Sequence, residues 1–141
     1  MADLSVLIRL HKHELDEKRR ALGELHGQMA ELERRRRELE RSYEAEKEAL
    51  RLTGDVHFTF AHYAETVRQQ RQEWQEEEQA LEEHIERAKE ALMETFSELK
   101  KYEMTQEERE RLEAEERLVK EGREMDAIGL EGFRRKSDEN T

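Results

Sequence analysis

The stretch IRLHKHELDEKRRALGELHGQMAELERRRRELERSYEAEKEAL, residues 8–50, decides the fold. Taken by threes and fours it gives Ile8, His11, Leu15, Lys18, Leu22, Leu25, Met29, Leu32, Arg36, Leu39, Tyr43, Glu46 and Leu50, an apolar stripe with a minority of polar positions. On a helix otherwise built from Glu, Arg and Lys, a stripe this narrow can be buried only against another helix. The expectation is a coiled coil whose work is contact rather than chemistry.

Composition agrees. With 45% charged and 34% hydrophobic residues, the chain has too little apolar material for a globular core but enough for a two-helix seam. A disordered chain could share those totals, but it would show no sustained heptad spacing. Proline, which costs a helix interior roughly 3 kcal/mol, is absent from all 141 residues. Cysteine is absent too, so disulfides, thiolate catalysis and thiolate metal sites are excluded together. The start, Met1-Ala2-Asp3-Leu4-Ser5, has no basic region followed by an apolar run, and a soluble cytoplasmic protein is expected.

The first stripe ends at Leu52-Thr53-Gly54-Asp55-Val56-His57. Gly54 suits a left-handed helix end, and Thr53 or Asp55 suits the cap of a second helix. Beyond it, Phe60, Ala64, Val67, Arg71, Trp74, Glu78, Leu81, Ile85, Ala88, Leu92, Thr95, Leu99 and Tyr102 keep the same spacing. Two seams joined by a short link predict an all-α fold: an antiparallel two-helix coiled-coil hairpin with a longer second helix. A tip near Gly54–Val56 sets Leu50 opposite Phe60, Tyr43 opposite Val67, Met29 opposite Leu81, Leu25 opposite Ile85, Leu22 opposite Ala88 and Ile8 opposite Tyr102.

The same register brings Arg34–Arg37 beside Glu73, Glu76, Glu77 and Glu78, Arg36 beside the Trp74 indole, and Lys18–Arg20 beside Glu90 and Glu94. The arginine run then reads as intramolecular ion pairing that selects register. Nucleic acid is not expected as a partner: the net charge is −11, and four consecutive arginines fan around a helix without forming one phosphate-binding face.

Residues 1–136 are expected to form one hairpin, with helix 1 over about 3–52, a tip at 53–57 and helix 2 from about 58 to 121 or beyond. Helix 2 outruns helix 1 from Glu103 onward. Leu99, Tyr102 and Thr105 read as a stammer, and Leu112 and Val119 as a resumed stripe. Gly122, Gly129 and Gly132 weaken the helix further along, so residues 122–141 read as a flexible or partner-ordered tail. Its apolar group, Met125, Ile128, Leu130 and Phe133, followed by Arg134-Arg135-Lys136, reads either as a frayed tail with a few apolar residues or as a docking element that orders on a partner.

No catalytic or metal constellation emerges. His11 and His13 stand two apart on divergent faces, and no histidine has a carboxylate three residues before it. His11 in the seam reads as a polar layer fixing register. The glycines form no phosphate-cradling loop, and no cofactor is implied. Glutamate pairs are frequent only because glutamate is frequent, so no enzymatic function is expected.

Three segments carry a resemblance. They are Leu7-Ile8-Arg9-Leu10 with Asp16–Leu25, the aromatic start Phe60-Ala61-His62-Tyr63-Ala64-Glu65-Thr66-Val67, and the tail Met125-Asp126-Ala127-Ile128-Gly129-Leu130-Glu131-Gly132-Phe133-Arg134-Arg135-Lys136. With these the chain resembles the flagellar export protein FliJ family, short cytoplasmic antiparallel coiled coils of type III secretion systems. The resemblance implies a stalk, similar to the gamma subunit of rotary ATPases, that binds the export ATPase ring. It also implies binding to the cytoplasmic domain of the export gate FlhA and escort of export chaperones, with the membrane reached only through these partners.

Carried across by position, the gate-binding pattern falls on Tyr63, Val67 and Trp74 of helix 2 and on Tyr43 of helix 1. Tyr43, Val67 and Trp74 also lie on or beside the seam and read more readily as core, while Tyr63, one position off the stripe, reads equally as partner contact or as structural filling. Gln70 and Trp74 depart from the smaller or polar residues that family members tend to carry. In the tail, Met125, Ile128 and Phe133 of the apolar group are the partner-binding candidates, on the end of helix 2 that would enter the ATPase ring. The alternatives on the same fold are a generic helical scaffold or adaptor and a stalk of the YscO injectisome type.

Overall fold

The computed structural model describes residues 3–53 and 57–140. They form two α-helices, α1 (Ser5–Thr53) and α2 (His57–Glu139), the second longer by more than half. The Asp3 carboxylate starts α1 by accepting the Ser5 backbone N–H at 3.0 Å and the Ser5 hydroxyl at 2.7 Å, which satisfies a donor the helix leaves open. Those bonds, led by the one from the backbone, hold the Asp3 carboxyl below its ordinary value.

At the other end of α1, the Thr53 hydroxyl donates to the Ala49 carbonyl at 2.8 Å. Thr53 therefore closes α1 rather than capping α2. The proposed roles of Gly54 and Asp55 lie outside the described residues.

Contacts divide the chain into two compact units. One is Lys12–Phe96; the other takes the beginning of α1 through His11 and α2 from Ser97 onward. In Lys12–Phe96 the helices run antiparallel: Lys18 meets Thr95, Arg36 meets Glu78, and Glu40 meets Arg71, so partners descend along α2 as they ascend along α1. Leu15, Leu32, Val67, Leu81 and Ile85 are buried between them. Burying each such side chain contributes roughly 1.5–3 kcal/mol over leaving it in water.

Both predicted stripes are the buried faces. Of all the positions in them, only Glu46 is exposed; every other one is buried or half-buried. The polar contacts fall within about one helical turn of the predicted register, shifted away from the tip. Helical side chains lean toward their own N-terminus, so those of α1 lean away from the tip and those of α2 toward it. Arg36 accordingly reaches Glu78, one turn beyond Trp74.

The arginine run departs from expectation. Arg34 bonds Glu31 and Glu38, and Arg35 bonds Glu31, all on α1 itself; Arg36 alone of the four reaches α2. Partners one turn away along one helix are held close by the backbone, whereas partners on the facing helix require correct register as well. The Glu31 carboxyl is pushed down to about 2, chiefly by its bond from Arg34. Likewise Lys18 donates to the hydroxyl of buried Thr95 and Arg19 approaches Asp16 at 3.8 Å, rather than both meeting Glu90 and Glu94.

In the other unit, Leu4, His11 and Leu99 are buried. His11 is the polar layer that its seam position predicts. Its Nδ1 donates to the Leu7 carbonyl at 2.8 Å, its Nε2 lies 3.3 Å from the Glu98 carboxylate, and the Tyr102 ring tilts against it at 4.9 Å. The predicted stammer is absent among the described residues. After Leu99 and Tyr102 the half-buried positions are Glu103, Gln106, Arg109 and Ala114; Leu99, Tyr102, Gln106 and Arg109 keep a 3-4-3 spacing, while Thr105 is exposed. The seam simply continues on polar residues.

Candidate partner-binding surfaces

Three places bring together the residues singled out by sequence. The first lies where Tyr43 of α1 meets Phe60 and Tyr63 of α2, with ring centroids 5.9 and 6.3 Å apart. Phe60 and Tyr63 stand 6.4 Å apart, so the three rings form one cluster. A groove of about 360 Å³ opens beside them, lined by Leu50, Ala49, Thr59, Phe60 and Tyr63 among others. Two cations lie over the Tyr43 ring: the Arg71 guanidinium at 4.8 Å and the Lys47 ammonium at 5.0 Å.

Arg71 also forms a two-pronged pair with Glu40, Nε to Oε1 at 2.6 Å and Nη2 to Oε2 at 2.7 Å. Such paired geometry is the stronger kind of charge-assisted bond. It lowers the Glu40 carboxyl from its ordinary value and raises the Arg71 guanidinium. The interhelical staple and the aromatic surface thus depend on one side chain. The sequence reading did not single out Arg71; its signal was an arginine at a seam position, one turn beyond Val67.

Val67 is the most deeply buried of the candidates, at 1% exposure, and supports the surface from within the core. Trp74 is half-buried on the wall of a second groove, of about 530 Å³, between α1 and α2. Arg36 shares this groove with Trp74, as the register places it, while its guanidinium pairs with Glu78; the arginine lying over an aromatic ring is Arg71, on Tyr43.

The third place is the end of α2. Every residue from Glu115 to Asn140 is exposed, and helix continues through Gly122, Gly129 and Gly132 to Glu139. Met125, Ile128 and Phe133 are 70%, 68% and 74% exposed, and Leu118, Val119 and Leu130 are exposed with them. This is a run of large apolar side chains on a stretch of α2 that none of the other described residues covers. Leu118, one turn before Gly122, joins the tail candidates; its even spacing to Met125 was the available signal.

No group of His, Asp or Glu with metal-holding geometry occurs among the described residues, and no helix there is long and apolar enough to cross a membrane. The arrangement is that of a helical interaction protein: a paired coiled coil with aromatic and cationic grooves along it and an unpaired apolar helix at one end. The family model for the flagellar FliJ protein matches residues 1–138, and the chain belongs to that family, as a component of flagellar type III protein export. No curated protein and no solved structure matches it.

Proposed function

We propose that the protein is a cytoplasmic stalk of the flagellar export apparatus, contacting the export ATPase ring through the end of α2 and the export gate through the aromatic cluster. The observation that carries this reading is the exposed apolar run Leu118–Phe133, on a stretch of α2 that α1 does not cover among the described residues. Exposed leucine, isoleucine and phenylalanine in such number mark a contact surface, since a monomeric soluble chain gains nothing by keeping them in water. The segment 122–141 is the part that a partner orders, with Met125, Ile128 and Phe133 as its anchors.

Tyr43, Tyr63 and Trp74 offer the gate half-exposed aromatic faces, a residue type favoured at interface centres, and Val67 holds them in place. Export chaperones are further cargo of the same surfaces, and the ATPase and the gate bring the protein to the base of the flagellum. Truncation before Gly122 is expected to abolish stimulation of the export ATPase and to leave capture by the gate's cytoplasmic domain intact. Equal loss of both would reject this division of labour.

A further inference from the structure

The groove beside Trp74 holds an imbalance that folding does not use. Arg36 and Arg71 line it but are engaged by Glu78 and Glu40. Arg37 and Arg41 line it too, and neither makes a hydrogen bond or an ion pair among the described residues. Of the carboxylates one turn from them, Glu38 bonds Arg34, Glu40 bonds Arg71 and Glu44 lies 3.9 Å from Lys47, while Glu33, one turn before Arg37, makes no ion pair among the described residues. Arg37 and Arg41 also stand four apart, a like-charge spacing that works against the isolated helix. Leu39 of α1 and the half-buried Trp74 of α2 line the same groove.

We propose that this groove docks an acidic amphipathic helix of a partner protein, with two carboxylates one turn apart on Arg37 and Arg41 and an apolar side chain over Leu39 and Trp74. Charge complementarity selects the occupant. Two free guanidiniums a helical turn apart match glutamates at the same spacing, and paired bonds from arginine to carboxylate give the contact direction. A nucleic acid fits less well, because its run of phosphates would also face Glu33, Glu38, Glu40 and Glu44, which flank the two arginines, whereas the helix brings one carboxylate to each guanidinium. The groove shares Trp74 with the gate-facing surface proposed above and in that respect rests on it.

Trp74 is the only tryptophan in the chain, so its fluorescence reports on this groove directly. The full chain is titrated with a synthetic helical peptide carrying two glutamates one turn apart around a leucine, and with the same peptide carrying glutamine in their place. The expected result is a saturable change in Trp74 emission with the acidic peptide, at least about tenfold weaker with the glutamine peptide and weakened by added salt. It is lost in Arg37→Glu/Arg41→Glu and in Arg37→Gln/Arg41→Gln, and largely kept in Arg37→Lys/Arg41→Lys, with helicity by circular dichroism unchanged.

Equal binding of both peptides, or an unchanged response in the glutamine variant, overturns the proposal. So does a larger arginine-dependent response to a single-stranded oligonucleotide, which would make the groove a nucleic-acid site. Arginine-dependent self-association in sedimentation would assign it to a second copy and overturn it as well. A gate pull-down that fails while the peptide response persists removes the gate reading and leaves the groove. A normal pull-down with no peptide response removes the groove alone.

Discussion

The paired stretch Lys12–Phe96 and the end of α2 beyond Glu115 are made of similar material, charged helix carrying large apolar residues, yet they meet opposite fates. In the first, Leu32 and Leu81 are 3% and 7% exposed; in the second, the apolar side chains stand in water. The difference is a partner helix, which α1 supplies only as far as its own N-terminus. A heptad pattern states a demand for burial, and whether the same chain meets it depends on how far the other arm reaches.

The largest effect that would sharpen this contrast is in the core. Leu32→Ala or Leu81→Ala is expected to cost about 2–4 kcal/mol in urea unfolding, from lost transfer energy and an unfilled gap. Ile128→Ala or Phe133→Ala should stay within about 0.5 kcal/mol, because these side chains leave no protein contact behind. A comparable loss at both ends would mean that the α2 end is packed in solution.

A smaller effect comes from the glycines. A Cβ placed at Gly122, Gly129 or Gly132 meets nothing within 4 Å. Each change to alanine should therefore strengthen the local helix by about 1 kcal/mol, seen as slower amide exchange confined to the end of α2. If these variants gain helix but lose ATPase stimulation, the glycines serve the partner rather than the fold.

Smaller again is Arg71→Ala, which removes both the Glu40 pair and the cation over Tyr43. A loss of about 0.5–1 kcal/mol in thermal unfolding is expected, with a change in tyrosine fluorescence. The smallest effect is acid dependence of the same staple. The folded Glu40 carboxyl lies below its unfolded value, so its contribution is complete above that unfolded value and is lost as pH falls through the folded one. At its solvent exposure this amounts to a few tenths of a kcal/mol. As pH falls below the ordinary carboxylate range, Glu40→Gln should lose less stability than the native chain.

Much of this was legible from spacing. The two stripes are the buried faces because a narrow apolar line on a charged helix has only one place to go, and Glu46 alone stands outside. The longer second helix followed from the chain outrunning the first. Less legible were the polar partners, since Arg34 and Arg35 each had glutamates available on both helices. The seam beyond Leu99 was misread at Thr105 because Gln106 and Arg109 carry no hydropathy signal.

The candidate surfaces divide in the same way. The exposed Met125, Ile128 and Phe133 could be anticipated, because no residues remained in α1 to cover them. The three-ring cluster, the Arg71 staple and the idle pair Arg37 and Arg41 could not, because each depends on which side chains lean into reach across the seam.

By itself the sequence determined that this chain is two helices folded on one another and that its second helix runs past the first, because periodicity and length are properties of the chain alone. Only the tertiary structure decided which arginines are satisfied and which stay free. Ion pairing is settled by side-chain reach and competition over a few ångströms, and many arrangements share one sequence pattern.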